Sequence, residues 1–202
     1  MRCTLPPGWG TATLVLPPPS LVSAWGDNSF GQCNTPEAVT NAIAVAAGAW
    51  HTLALRANGA VLAWQDNSCG QCAVPSTLTN ALAIAAGGYH SLAIRDDGRV
   101  VAWGANDYGQ TSVPANLRGV LGVAAGTWHS LALRTDGTVA VWGDNSFGQT
   151  NQPPGLNNVT AVAAGGNHSL ALKANGKIDH TQLRPSLPVS PQLFRKPGSS
   201  GH

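Results

Sequence analysis

Small apolar and polar residues alternate along most of this chain with a period of two, the signature of half-buried β-strands. Ile43 and Val45 alternate with Ala44 and Ala46, and Leu53 and Leu55 alternate with Thr52 and Ala54. Asn58-Gly59 follows, a dipeptide suited to the positive φ angles of a two-residue hairpin turn. A third strand is expected over 60–64, a turn at Asp66-Asn67-Ser68, and a short fourth strand near Gln71–Val74. That strand would end at Pro75, which cannot donate to a ladder. No stretch carries helical spacing of useful length.

The same pattern returns every 39 residues. Tryptophan recurs at Trp25, Trp64, Trp103 and Trp142, histidine at His51, His90, His129 and His168, and Gly-Gln at 31–32, 70–71, 109–110 and 148–149. Pro36, Pro75, Pro114 and Pro153 keep the same step, as do the turn dipeptides Asn58-Gly59, Asp97-Gly98, Asp136-Gly137 and Asn175-Gly176. A unit of this length holding four antiparallel strands is a propeller blade. The expected fold is therefore all-β: four blades over residues 22–177, arranged as a partial or open propeller. The repeat tryptophans, within strands, are expected in the core. Residues 1–21 read as a degraded half-repeat or an irregular N-terminal segment. The period fails at Thr181, where a fifth tryptophan would fall, and residues 178–202, rich in proline, serine and basic side chains, read as a disordered tail.

The run Gly87-Gly88-Tyr89-His90-Ser91-Leu92-Ala93-Ile94, then Asp97-Gly98, Val101-Ala102-Trp103-Gly104 and Tyr108-Gly109-Gln110-Thr111, resembles the repeat of the regulator-of-chromosome-condensation superfamily. The short unit is most similar to bacterial members, including propeller-type β-lactamase inhibitory proteins. Known members close a ring of seven blades, more than this chain supplies. Gln65 departs from the glycine that follows tryptophan in the other copies.

Composition narrows the partners. Only 10% of residues are charged, against roughly 25% in an ordinary domain, and residues 1–178 hold eight basic and eight acidic side chains. No basic face for nucleic acid is indicated. No apolar run reaches membrane-spanning length, so no membrane association is expected. The prolines at 6, 7 and 17–19 break any signal-peptide core, which leaves localisation undetermined.

Candidate chemistry reduces on inspection. The four histidines lie on different blades, too dispersed for one ion, and are expected to hydrogen-bond loop backbone. Cys69-Gly70-Gln71-Cys72 has redox spacing, but Cys69 stands where other copies have Phe30, Tyr108 and Phe147, and Cys72 where they have Thr111 and Thr150. The Asp-Asn-Ser loops lack the glycine and terminal glutamate of a calcium loop. No nucleophile–base pair is evident. The expectation is a non-enzymatic chain with no catalytic residue, metal or cofactor.

Aromatic residues offer the better lead. Trp50, Tyr89 and Trp128 precede the repeat histidines, while Phe30, Tyr108 and Phe147 occupy the loops after the tryptophan strands. Strands that run up and down place both series on one face, either packed between blades or available to a partner. The expectation is a protein–protein interaction face of these six residues. A carbohydrate-binding propeller is one alternative. Resemblance to the eukaryotic branch implies another, nucleotide exchange on a small GTPase. The open blade flanks also invite self-association.

Overall fold

A computed structural model describes residues 22–174 and 178–180. Twelve strands form four antiparallel sheets in chain order. The first sheet holds β1 (Ala42–Ala47), β2 (His51–Arg56) and β3 (Val61–Gln65). The second holds β4 (Ala81–Ala86), β5 (His90–Arg95) and β6 (Val100–Gly104). The third holds β7 (Val120–Ala125), β8 (His129–Arg134) and β9 (Val139–Gly143). The fourth holds β10 (Val159–Ala164), β11 (Ser169–Lys173) and β12 (Ile178–His180). We call these blades 1 to 4. No described residue is helical.

Each blade has three strands, which corrects the expected fourth. The segment around Gln71 folds into successive tight turns, with Gly70 N donating to Asn67 O at 3.1 Å and Ala73 N to Gly70 O at 3.0 Å. The Gln71 carbonyl accepts from side chains of blade 2, Ser91 Oγ at 2.9 Å and Trp103 Nε1 at 2.8 Å, which takes the place of a strand ladder. The hairpin differs too. Asn58 keeps an ordinary φ and only Gly59 is left-handed, at 78°. Gly59 N reaches Arg56 O and Arg56 N reaches Ala60 O, giving a three-residue loop closed by a glycine bulge. Asn58 Oδ1 accepts from Ala60 N at 3.1 Å and holds that turn.

Blades stack through apolar seams. Leu53, Leu55 and Val61 of blade 1 pack against Ala93, Trp103 and Ile84 of blade 2. Leu92 and Ile94 meet Ala132, Trp142 and Val123 of blade 3, and Leu131 and Leu133 meet Ala171 and Val162 of blade 4. Trp64, Trp103 and Trp142 are 6–8% exposed, as expected for core residues. Trp25 is 86% exposed, contrary to expectation: its position before Gly26 carries no strand pairing, so no seam encloses it.

The seams do not close on themselves. Val45 on β1 is 56% exposed, whereas its counterparts Ile84, Val123 and Val162 are half-buried in seams. At the other end Leu172 is 39% exposed, against 1–5% for Leu55, Ile94 and Leu133. The described residues form an open arc of four blades. The strand Ile178–His180 pairs with β11 inside the segment expected to be a tail, while residues 1–21 and 181–202 lie outside the described residues.

Candidate functional site

Strand register sets which loops share a face. His51, the first residue of β2, pairs with Gln65, the last of β3, so the β1–β2 turn and the loop after β3 emerge together. Backbone bonds stitch them: Asp66 N to Trp50 O at 3.2 Å, Ala105 N to Tyr89 O at 2.9 Å and Asp144 N to Trp128 O at 2.9 Å. All six expected aromatic residues therefore lie on one face, with the glycine hairpins on the other.

Five of them form a continuous ridge across blades 1 to 3. Phe30 meets Trp50 edge-on at 4.7 Å between ring centroids. Trp50 Nε1 donates to Tyr89 OH at 2.9 Å, crossing from blade 1 to blade 2. Tyr89 stacks on Trp128 of blade 3 at 4.8 Å and 14°, and Tyr108 leans on Trp128 at 5.4 Å. Trp50, Tyr89 and Trp128 are half-buried in the ridge, whereas Phe30 and Tyr108 are each 53% exposed on its flanks. Phe147 stands apart. It is 62% exposed, and the place of its ring partner is taken by Asn167.

The exposed rings are held by glutamines whose recurrence is plain in the sequence but whose job is not. Gln71, Gln110 and Gln149 are fully buried. Each Oε1 accepts from the backbone N–H of the residue two before it: Cys69 at 2.9 Å, Tyr108 at 3.0 Å and Phe147 at 2.9 Å. Gln71 Nε2 donates to Asp66, and Gln149 Nε2 to Asp144, both at 2.7 Å. Burial works against the Asp144 carboxylate, but bonds from Ser146 and Gln149 outweigh it and hold the group below the usual carboxylate range. In blade 2 the aspartate is replaced by Ala105, and Gln110 Nε2 is buried without a partner among the described residues.

The histidines bond across blades to serine hydroxyls, and the expected loop backbone takes part only at His129, through His168. His51 Nε2 lies 2.9 Å from Ser91 Oγ, His90 Nε2 2.9 Å from Ser130 Oγ, and His129 Nε2 3.1 Å from Ser169 Oγ. Each serine donates its single proton to a glutamine carbonyl, Gln71, Gln110 or Gln149, at 2.8–2.9 Å. The serine can therefore only accept from imidazole, which assigns the proton to Nε2 and leaves Nδ1 bare. The bare Nδ1 of each ring faces a glycine; at Gly48 a Cβ would sit 2.6 Å from His51 Nδ1. Desolvation lowers the imidazole pKa of His51 and His90 to about 4, and that of His129 in the same direction. These rings are neutral structural pins.

Cys72 Sγ donates to Asp66 O at 3.2 Å, and burial together with the Asp66 charge raises its pKa to about 11. A thiol so held is a poor thiolate source. Among the described residues no three His, Cys, Asp or Glu side chains gather to hold a metal ion, and no helix is long and apolar enough to cross a membrane.

The profile of the Regulator of chromosome condensation (RCC1) repeat matches residues 42–71, 82–110 and 120–149. These three segments are regulator of chromosome condensation repeats. Each match runs from the inner strand of a blade through its glutamine loop, so the profile follows the pinned histidine, the tryptophan and the buried Gly-Gln. Solved structures share the fold of these repeats. Yeast RCC1 (Prp20) bound to Kap60 aligns at TM-score 0.62 and 24% identity over 71% of this chain and 44% of that one. Saccharomyces cerevisiae Prp20p, described with its binding properties to Gsp1p and histones, aligns at 0.60 and 24% over 68% and 44%. The CRINKLY WD40 ectodomain of the Arabidopsis thaliana receptor kinase ACR4 aligns at 0.60 and 24% over 69% and 50%. This chain thus spans half or less of the length of those proteins. A comparison with curated protein sequences gave no match.

Proposed function

We propose that this chain is a non-enzymatic protein-interaction module that takes a protein partner across its aromatic face, with Trp50, Tyr89, Trp128, Phe30, Tyr108 and Phe147 as the contact residues. The observation that carries the reading is the ridge itself. Five rings run unbroken over three blades, anchored by a hydrogen bond from Trp50 to Tyr89 and by loop backbones clamped on buried glutamines. Rigid aromatics lose little conformational entropy on binding and dominate interface energetics. Prp20p, of the same fold, is described as binding Gsp1p and histones, both proteins. The loops of this face also carry Asp27, Asp66, Asp107 and Asp144, of which Asp66 and Asp144 are taken up by Gln71 and Gln149; the reading here rests on apolar contact.

The test is capture of partners from extract with the wild-type chain and with Trp128→Ala, followed by titration of any partner recovered. Trp128 touches both Tyr89 and Tyr108, so its truncation is expected to cost about 2 kcal/mol or more of binding. Asp97→Ala, on the opposite face, is expected to leave binding unchanged. Equal recovery by all three proteins, with equal melting curves, would reject the aromatic face. A glycan array run in parallel separates protein from sugar recognition.

A further inference from the structure

We propose that two copies of this chain join head to tail and close a ring of eight blades. The two open flanks are the two halves of an interface that the chain already builds three times. In each internal seam a pair of aliphatic side chains on a middle strand packs against an inner-strand residue of the next blade: Leu53 and Leu55 against Ile84, Leu92 and Ile94 against Val123, Leu131 and Leu133 against Val162. Blade 4 presents the next such pair, Leu170 half-buried and Leu172 39% exposed. Blade 1 presents the matching Val45, 56% exposed.

Polar groups keep the same register. Every internal seam pins a histidine Nε2 on the hydroxyl forty positions ahead, and those three histidines are 0–1% exposed. His168 of blade 4 is only half-buried. The hydroxyl equivalent to Ser91, Ser130 and Ser169 on blade 1 is Thr52, already oriented by donating to Gln32 O at 3.3 Å, as Ser91 donates to Gln71 O. His168 of one copy and Thr52 of the other therefore complete a fourth pin. The glutamine loop of that joint is supplied by the copy contributing blade 1, where Phe30 N already donates to Gln32 Oε1 at 3.0 Å.

The number of copies follows from closure. A trailing flank that fits a leading flank forms a heterologous contact, which ends in a ring or runs on as a filament. Each copy brings four blades, and known propellers hold four to eight. The described residues of one chain leave both flanks open, and two copies of four blades close within that range.

Light scattering on the full chain tests this directly. The expected mass is twice 20.7 kDa, about 41 kDa. Leu172→Glu and Val45→Glu each place a carboxylate in the proposed joint at a position exposed in the single chain, so both should fold. Each alone should raise the dissociation constant roughly a hundredfold or more. Mixing the two variants should restore pairing through the one undamaged joint, a result that contact between identical flanks would not give. Circular dichroism and melting of the single-chain form serve as the folding check. A wild-type mass of 20.7 kDa at every concentration, a mass of three copies or more, or a dimer that survives either variant would overturn the proposal.

Discussion

Acid should unfold this protein through its histidine pins, in a pH window that lies above that of its carboxylates. The folded chain holds His51 and His90 neutral, with pKa values near 4 against 6.5 for a free imidazole. Between those values the unfolded chain binds more protons than the folded one, so stability is fully present above pH 6.5 and falls as pH drops toward 4. At about 1.4 kcal/mol per pKa unit, each ring accounts for about 3.5 kcal/mol and the pair for roughly 7 kcal/mol. A domain's whole stability is about 5–15 kcal/mol, so this suffices to bring the fold near its midpoint. The lowered carboxylates Asp27, Asp136 and Asp144 start from 3.8 and act only below the histidine window. Urea unfolding followed by tryptophan fluorescence between about pH 7 and pH 4 reads the slope. His90→Gln should reduce it, leaving the contributions of His51 and His129, at a cost in stability at neutral pH. A free energy of unfolding that stays constant across the window, or a slope that His90→Gln leaves untouched, would refute the neutral pins.

Blade 2 should gain from the capping set it lacks: Ala105→Asp with Asp107→Ser gives Gln110 Nε2 a carboxylate and that carboxylate a serine, as in blade 3. The expected gain is about 2 kcal/mol by thermal melting. Gln65 occupies a left-handed φ of 87° where Gly104 and Gly143 stand in other blades, so Gln65→Gly should stabilise by about 1 kcal/mol in urea titration. Gly126→Ala should destabilise by about 2–3 kcal/mol, because its Cβ would fall 2.2 Å from His129 Cε1 and 2.6 Å from Gly165 O, crowding a seam on two sides.

Repetition made most of the architecture readable from sequence. A period that keeps Trp, His, Gly-Gln and the turn glycine in phase fixes strand order and face without any long-range information, and the six aromatic positions do emerge on one side. What the period could not disclose lies between blades. His51 bonds to Ser91, a residue forty positions away, and no local pattern ties the two. Trp50 reaches Tyr89 in the same manner. The fourth strand failed for a related reason: apolar residues around Gln71 look strand-like, but its carbonyl is claimed by Ser91 and Trp103 of the next blade. Trp25 shows the converse, since a core-type residue is core only where a seam encloses it.

The cross-blade pins also dictate how the molecule comes apart. Each blade is coupled to its neighbours in sequence, so the free energy behaves as a one-dimensional chain of nearest-neighbour terms. In a single open arc, blades 2 and 3 are clamped on both sides, whereas blades 1 and 4 are clamped on one. Amide hydrogen exchange should then be fastest in the outer two sheets and slowest at Leu92, Ala93, Leu131 and Ala132, which are almost wholly shielded from solvent. Sealing the arc would abolish its ends. Protection would level out along the whole chain, and opening any one blade would require breaking two couplings at once.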